Sequence, residues 1–185
     1  MEKIAKSAYV HETATVDEGA IIRAGAKIWH YTHVMKDAYI GFETTIGQNC
    51  FIASGIHIGD HCKIQNNVSL YNGVQIDNDV FIGPSVVFTN VRIPRAFINR
   101  KDQYIKTIVC QGASIGANST IICGATIGEY AMVGAGSVIS SKYLPPRSLW
   151  YGGNATCRGK VCKCGATFEL KDGVHLECSE CGMVV

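Results

Sequence analysis

The 185-residue sequence has no apolar run approaching a membrane span, and no basic block or stripe of the kind that grips nucleic acid or an anionic membrane. Its 17 Lys and Arg are nearly balanced by 15 Asp and Glu, so electrostatics points to no polyanionic partner. The opening stretch MEKIAKSAYVHETATV lacks the apolar core of a signal peptide, and the expectation is a soluble, cytoplasmic protein. No two of the six histidines are separated by three steps of the period described below, and that spacing is the one that would stack them. At this length the chain can bury one substantial core and carry a small appendage.

What is present is a beat of six. Positions 4, 10, 16, 22, 28, 34, 40, 46, 52, 58, 64, 70, 76 and 82 are all Ile, Val or Leu, and Phe88 continues the series. It resumes at Val109, Ile115, Ile121, Ile127, Val133 and Ile139. Two residues before each beat the side chain is usually small or β-branched, as at Ala20, Ala26, Thr32, Ala38, Thr44 and Cys50. A period of six suits neither a helix nor a plain amphipathic strand, but it suits short strands that each end in a turn. The beat and its small partner then share one inward face. Glycine and asparagine near the bends tolerate left-handed backbone. Three such strands, one per beat, close a triangular coil, and stacked coils form a parallel β-solenoid. A β-sandwich would not hold so strict a beat.

Phe88 and Val109 are 21 residues apart where one beat takes six, so about 15 residues within TNVRIPRAFINRKDQYIKT must leave the coil. This excursion, at about 90–107, carries Arg92, Arg95, Arg100, Lys101 and Lys106 with Phe97 and Tyr104.

Spacing by three beats stacks polar residues from coil to coil. His30, Gln48 and Asn66 form one expected column, Tyr31, Asn49, Asn67 and Ser85 the next, and Ser54, Asn72 and Asn90 a third. Such amides either stitch coil to coil or face a ligand. Asn90 ends the FTN string where the excursion begins, so it is expected at the lip of a cleft. His30 is the candidate general base, because imidazole accepts a proton near neutral pH. His33 is a weaker candidate.

The nine cysteines fall into two kinds. Cys50, Cys62, Cys110, Cys123 and Cys157 are scattered, several within the apolar rhythm, as buried free thiols would be. Cys162, Cys164, Cys178 and Cys181 lie in VCKCGATFELKDGVHLECSECGMVV, which abandons the beat. Two Cys pairs, each followed by glycine, let four thiolates surround one structural Zn²⁺. So short a tail, with few large apolar residues, needs a staple. The expected division is a β-helix domain over 1–158 and a zinc-ribbon-like tail over 159–185.

The strings IWHYTH at 28–33, KIQNNVSLYNGV at 63–74, VFIGPSVVFTN at 80–90, IPR at 93–95, RKDQY at 100–104 and GASIGANSTIICGATIGEYAMVGAGSVI at 112–139 resemble hexapeptide-repeat nucleotide-sugar N-acetyltransferases. The resemblance implies an all-β, left-handed parallel β-helix of about seven coils, working as a homotrimer with sites between subunits. It implies transfer from acetyl-CoA to the 3-amino group of UDP-2-acetamido-3-amino-2,3-dideoxyglucuronic acid, for surface glycans or polysaccharides. A sister group acting on dTDP-3-amino-3,6-dideoxyhexoses shares several strings.

On this reading Asn90 holds the reacting amine or the thioester oxygen. Asn66, Asn67, Tyr71 and Asn72 read hydroxyls, while Arg92 and Arg95 grip the pyrophosphate or a sugar carboxylate. Acetyl-CoA lies along the C-terminal coils at Gly116, Ala117, Gly134 and Ala135, with Lys142, Arg147 and Arg158 at its phosphates. One departure is Cys110 and Gln111 before GASIGAN, where the family resemblance leads one to expect basic residues. Two other classes fit the fold less well. A carbonic anhydrase of this fold needs three converging histidines, and a solenoid scaffold needs no chemistry.

Overall fold

A computed structural model describes residues 3–170 and 176–184. The six-residue beat becomes a parallel β-solenoid of three sheets, consistent with a left-handed β-helix. Nearly every strand is two residues long, because a turn follows each beat. The first sheet stacks eight parallel strands from Tyr9–Val10 to Ser148–Tyr151. The second and third hold seven strands each, ending at Val138–Ile139 and Tyr143–Leu144. Each strand pairs with the strand three beats on, as Lys27 with Thr45 and Lys63 with Phe81. At the excursion the pairing jumps from Phe81 to Ser114, so the coil resumes in unchanged register once the excursion has returned.

The beat fills the centre. Ile22 through Ile82, then Val109 through Ile139, are almost wholly buried, with Ala26, Ala38, Ala113 and Ala131 beside them. Ile4, the first beat, is 41% exposed. The polar partners are satisfied inside: Thr32 Oγ1 donates to Gly47 O at 2.7 Å and accepts from Cys50 N at 3.0 Å. Thr44 repeats the pattern two beats on, with Gly59 O and Cys62 N. Of the five scattered thiols, Cys50, Cys62 and Cys123 are buried, Cys110 is half-buried and Cys157 is exposed. Burial pushes the Cys62 thiol up to about 11, leaving it protonated and unreactive.

The second residue of most turns has positive φ. Asn49, Asn67 and Asn118 fit the expectation, but so placed are Tyr31, His61, Tyr130 and Arg147. Stacking of the coils outweighs the roughly 1–2 kcal/mol that left-handed backbone costs a bulky residue.

Two boundaries differ from expectation. The beat takes one more step after Ile139: Leu144 is fully buried and pairs with Ile127, one position short of a full coil. The expected break at 158/159 falls inside a strand, Thr156–Lys160, which turns back antiparallel onto Ser148–Tyr151. The tail is therefore joined to the last coil by a shared sheet, with Val161 buried and its amide donating to Arg147 O at 2.8 Å.

Candidate functional site

Three edges run along the prism. The first, between the first and second sheets, carries the turns at His30–Tyr31, Gln48–Asn49, Asn66–Asn67 and Ala117–Asn118. Here the two expected columns meet. Gln48 N donates to Asn66 Oδ1 at 3.0 Å, and Asn49 Nδ2 donates to Asn67 Oδ1 at 2.9 Å. The amides of Asn66 and Asn67 thus stitch coils, as stacked amides do. Asn66 also lines a hollow of about 250 Å³ with Trp29, His30, Thr45 and Gln48.

His30 is half-buried and held by rings. Its centroid lies 3.6 Å from that of His11, and its plane is within 10° of Trp29. Among the described residues no carboxylate orients it. His33 differs: its Nε2 sits 2.9 Å from Asp17 Oδ1, with Phe51 edge-on. Sequence reasoning missed this pair, because the partners are not a whole coil apart and only whole coils mark stacked neighbours.

The second edge carries Ser54–Gly55, Asn72–Gly73 and then the excursion. Asn90 sits at its root, its carbonyl accepting from Ile105 N at 2.9 Å. With Arg95, Arg100, Lys101 and Tyr104 it lines a cavity of about 300 Å³. Tyr104 also lines a neighbouring hollow of about 290 Å³ that contains Asn72 and Lys106. Asn72 Nδ2 donates to Ser54 O at 2.9 Å, another coil-to-coil stitch. Arg92 is exposed and does not line this cavity. Tyr71 follows the second-sheet strand Ser69–Leu70 and packs beside Phe51, ring centroids 5.8 Å apart, outside both hollows.

Within one chain the expected site residues therefore divide. His30, Asn66 and Asn67 occupy the first edge; Asn72, Asn90 and Arg95 occupy the second. The coenzyme set divides further. Ala117 and Ala135 are turn residues of the first edge, with Gly116 and Gly134 just before them. A Cβ on Gly116 would lie 2.4 Å from Ala135 N, so coil stacking by itself requires glycine there. Lys142 is exposed before Tyr143–Leu144, whereas Arg147 forms a left-handed turn at the third edge. Arg158 lies on the antiparallel strand with its guanidinium 5.2 Å from the Tyr151 ring centre. The three cations form no single patch.

The tail cysteines do converge. The sulfurs of Cys162, Cys164, Cys178 and Cys181 all lie within 4.8 Å of one another. The shortest separations are 3.5 Å for Cys162 to Cys181 and 3.4 Å for Cys164 to Cys178. Tetrahedral zinc at Zn–S of about 2.3 Å spaces its sulfurs by roughly 3.8 Å, so a small closure change accommodates the ion. Gly165 and Gly182 have φ of +96° and +69°, the backbone each cysteine turn needs. The amides of Cys181 and Glu180, with thiol donors beside them, pull the Cys178 thiol down to about 6. The Met183 amide also lowers Cys181, but bonding with the Cys162 and Cys178 thiols outweighs it and pushes Cys181 up to about 12. The donor set is all sulfur and closed, which fits a structural ion rather than a catalytic one. Lys163 Nζ lies 4.7 Å above the Tyr130 ring, and Gly165 faces Met132, so this unit rests on the first sheet. Among the described residues no three histidines come together, and no helix is long and apolar enough to cross a membrane.

This fold and period define a hexapeptide-repeat solenoid, and comparison with known proteins agrees. The model for bacterial transferase hexapeptide (six repeats) matches residues 55–90 and 106–141. A dTDP-3-amino-3,6-dideoxy-α-D-galactopyranose 3-N-acetyltransferase of Aneurinibacillus thermoaerophilus is 49% identical over 71 residues, 38% of this chain and 36% of that protein. The bifunctional protein GlmU of Thermotoga petrophila is 40% identical over 75 residues, 39% of this chain and 17% of its own length. The chain thus spans about a third or less of the curated relatives it matches. A hexapeptide-repeat acetyltransferase of Vibrio cholerae, solved with acetyl coenzyme A, superposes with a TM-score of 0.57 at 27% identity, over 67% of this chain and 70% of that one. Over residues 55–90 and 106–141 the chain shares the bacterial transferase hexapeptide repeat, and acetyltransferases, one of them acting on a sugar nucleotide, are among the proteins it resembles.

Proposed function

We propose that the chain is an acetyl-CoA-dependent N-acetyltransferase of a nucleotide-linked amino sugar, its acceptor being UDP-2-acetamido-3-amino-2,3-dideoxyglucuronic acid. The observation that carries the reading is the cavity at Asn90, at the side of the solenoid: part apolar, lined by Arg95, Arg100 and Lys101, and by no carboxylate. A dTDP-3-amino-3,6-dideoxyhexose acceptor is the second reading, favoured by the 71-residue stretch shared with the Aneurinibacillus enzyme.

The chemistry asks little of the protein beyond placement. A neutral 3-amine attacks the thioester carbonyl; the C–N bond forms, the C–S bond breaks, and the amine proton ends on the CoA sulfur. The Asn90 amide supports the amine or the oxyanion. Asn66 and Asn67 keep a free Nδ2 and Asn72 a free Oδ1 beyond their coil-to-coil bonds, and with Tyr71 these would read sugar and nucleotide hydroxyls; Arg95 at the cavity and the exposed Arg92 would meet the anionic groups. Acetyl-CoA lies over the first-edge turns at Ala117 and Ala135, with Gly116 and Gly134 packed against the next coil beside them, and Lys142, Arg147 and Arg158 meet its phosphates from more than one subunit.

The division of these residues between edges supports a homotrimer in which the first edge of one subunit faces the second edge of its neighbour. Light scattering at three times the chain mass checks it. The tail holds one Zn²⁺ through Cys162, Cys164, Cys178 and Cys181, with a structural role.

A panel of UDP- and dTDP-amino sugars assayed for CoA release decides the acceptor; activity on the dTDP deoxyhexoses alone would overturn the uronate. His30→Ala tests whether imidazole takes the proton. A base contributes about 10²–10⁴-fold, so a loss of that size in kcat assigns it, whereas wild-type turnover gives the proton directly to the CoA sulfur.

A further inference from the structure

The excursion carries five cations against one acid, Asp102, which forms no ion pair. Among the described residues the only ion pairs are His33 with Asp17 and His61 with Asp79, so Arg92, Arg95, Arg100, Lys101 and Lys106 have no carboxylate partner. Three of the five, Arg95, Arg100 and Lys101, line the Asn90 cavity, and no acidic side chain lines it. Arg100 is the most constrained. Gln103 Oε1 accepts from its Nη1 at 2.8 Å, while its Nε is buried without a hydrogen-bond partner. A buried guanidinium N–H without an acceptor is costly, and an entering oxyanion would satisfy it. Arg95 donates only to the neighbouring Pro94 carbonyl, at 3.0 Å.

We propose that Arg100, with Lys101 and Arg95, holds a carboxylate on the acceptor sugar and so selects acidic over neutral amino sugars. This rests on the reading of the chain as a sugar-nucleotide transferase and deepens it. At about 300 Å³ the cavity is at the small end for ligand sites, with room for one sugar ring and its substituents but not for a nucleoside diphosphate as well. Its remaining walls, Val91, Pro94 and Ile98, suit the carbon face of a ring, and a guanidinium fork matches a carboxylate with two parallel hydrogen bonds. The anion held there lies within a ring's reach of the amine that Asn90 serves. Neither Arg100 nor Lys101 belongs to the anchoring pair, Arg92 and Arg95, that the sequence singles out.

Calorimetric titration without acetyl-CoA provides the test, because it needs no catalysis. Wild type, Arg100→Gln, Arg100→Lys and Lys101→Gln would be titrated with a UDP-linked 3-amino uronate, its neutral hydroxymethyl counterpart, UDP and CoA. Wild type should prefer the uronate. Arg100→Gln should lower that preference about 10- to 100-fold, Lys101→Gln should lower it less, and Arg100→Lys should recover part of it. Circular dichroism and melting confirm that each variant is folded. Equal weakening of UDP would place the diphosphate there and overturn the proposal, as would weakening of CoA alone. So would an unchanged preference, or wild type favouring the neutral sugar. If acetyl transfer to neutral amino sugars persists without preference for acid, the transferase reading stands and only this inference falls. If no sugar nucleotide binds, both fall.

Discussion

Asn90→Ala should reduce kcat by about 10²–10³-fold with a much smaller change in KM, measured as CoA release at saturating acetyl-CoA. That is the usual cost of removing one donor that acts on charge developing in the transition state. The main chain of Asn90 is tied to Ile105, so truncating the side chain leaves the excursion anchored at its root. The amide itself forms no hydrogen bond with another described residue, and it borders the cavity rather than filling the core. Asn72 is the control. Its Nδ2 is already bonded to the Ser54 carbonyl, so Asn72→Ala should cost about 1 kcal/mol of stability and weaken sugar binding, raising KM and leaving kcat nearly unchanged. A kcat for Asn90→Ala within twofold of wild type would remove this residue from the chemistry.

Metal loading is the second large effect. Purified protein should hold one zinc per chain, and Cys178→Ser should bind it far more weakly than the 10–100-fold loss that accompanies removal of an outer-shell partner. Elemental analysis after dialysis against a chelator reads this directly. Because apparent binding energies of such sites are on the order of 10 kcal/mol, the tail beyond Val161 should become protease-sensitive when stripped. Cys157→Ser removes an exposed thiol outside the cluster and should change nothing. Four readily alkylated cysteines and no zinc in freshly prepared wild type would exclude the ion.

Much of the fold was legible because a six-residue period leaves one architecture in which every sixth side chain is inward. The excursion, the three edges and the convergence of the four tail thiols all follow from counting. What counting could not supply lies where the period slips. Leu144 completes another strand one residue early, and Thr156–Lys160 reverses direction, so the apparent domain break is a shared sheet. The site was legible only in part. Asn90 and Arg95 line one cavity, yet the column of Ser54, Asn72 and Asn90 says nothing of which edge His30 occupies relative to them. Likewise Gly116 reads as room for a cofactor until the next coil is found occupying that space. Arg92 and Arg100 look alike in sequence; only the path of the excursion turns one outward and the other into the cavity.

The left-handed turns also set how this chain can be shortened. Asp37 and Gly55 occupy equivalent turn positions, with φ of 60° and 70°. Excising residues 37–54 would join Lys36 to Gly55 in matching backbone, and every later side chain would keep its sheet. The coil of His30 would then stand about 4.8 Å closer to that of Asn90 along the axis. Excising a single beat instead would preserve the apolar rhythm but rotate everything after the cut onto the next sheet, carrying the excursion to another edge. The molecule is thus a ruler graduated in whole coils, and the relative azimuth of its two hollows is quantised in thirds of a turn.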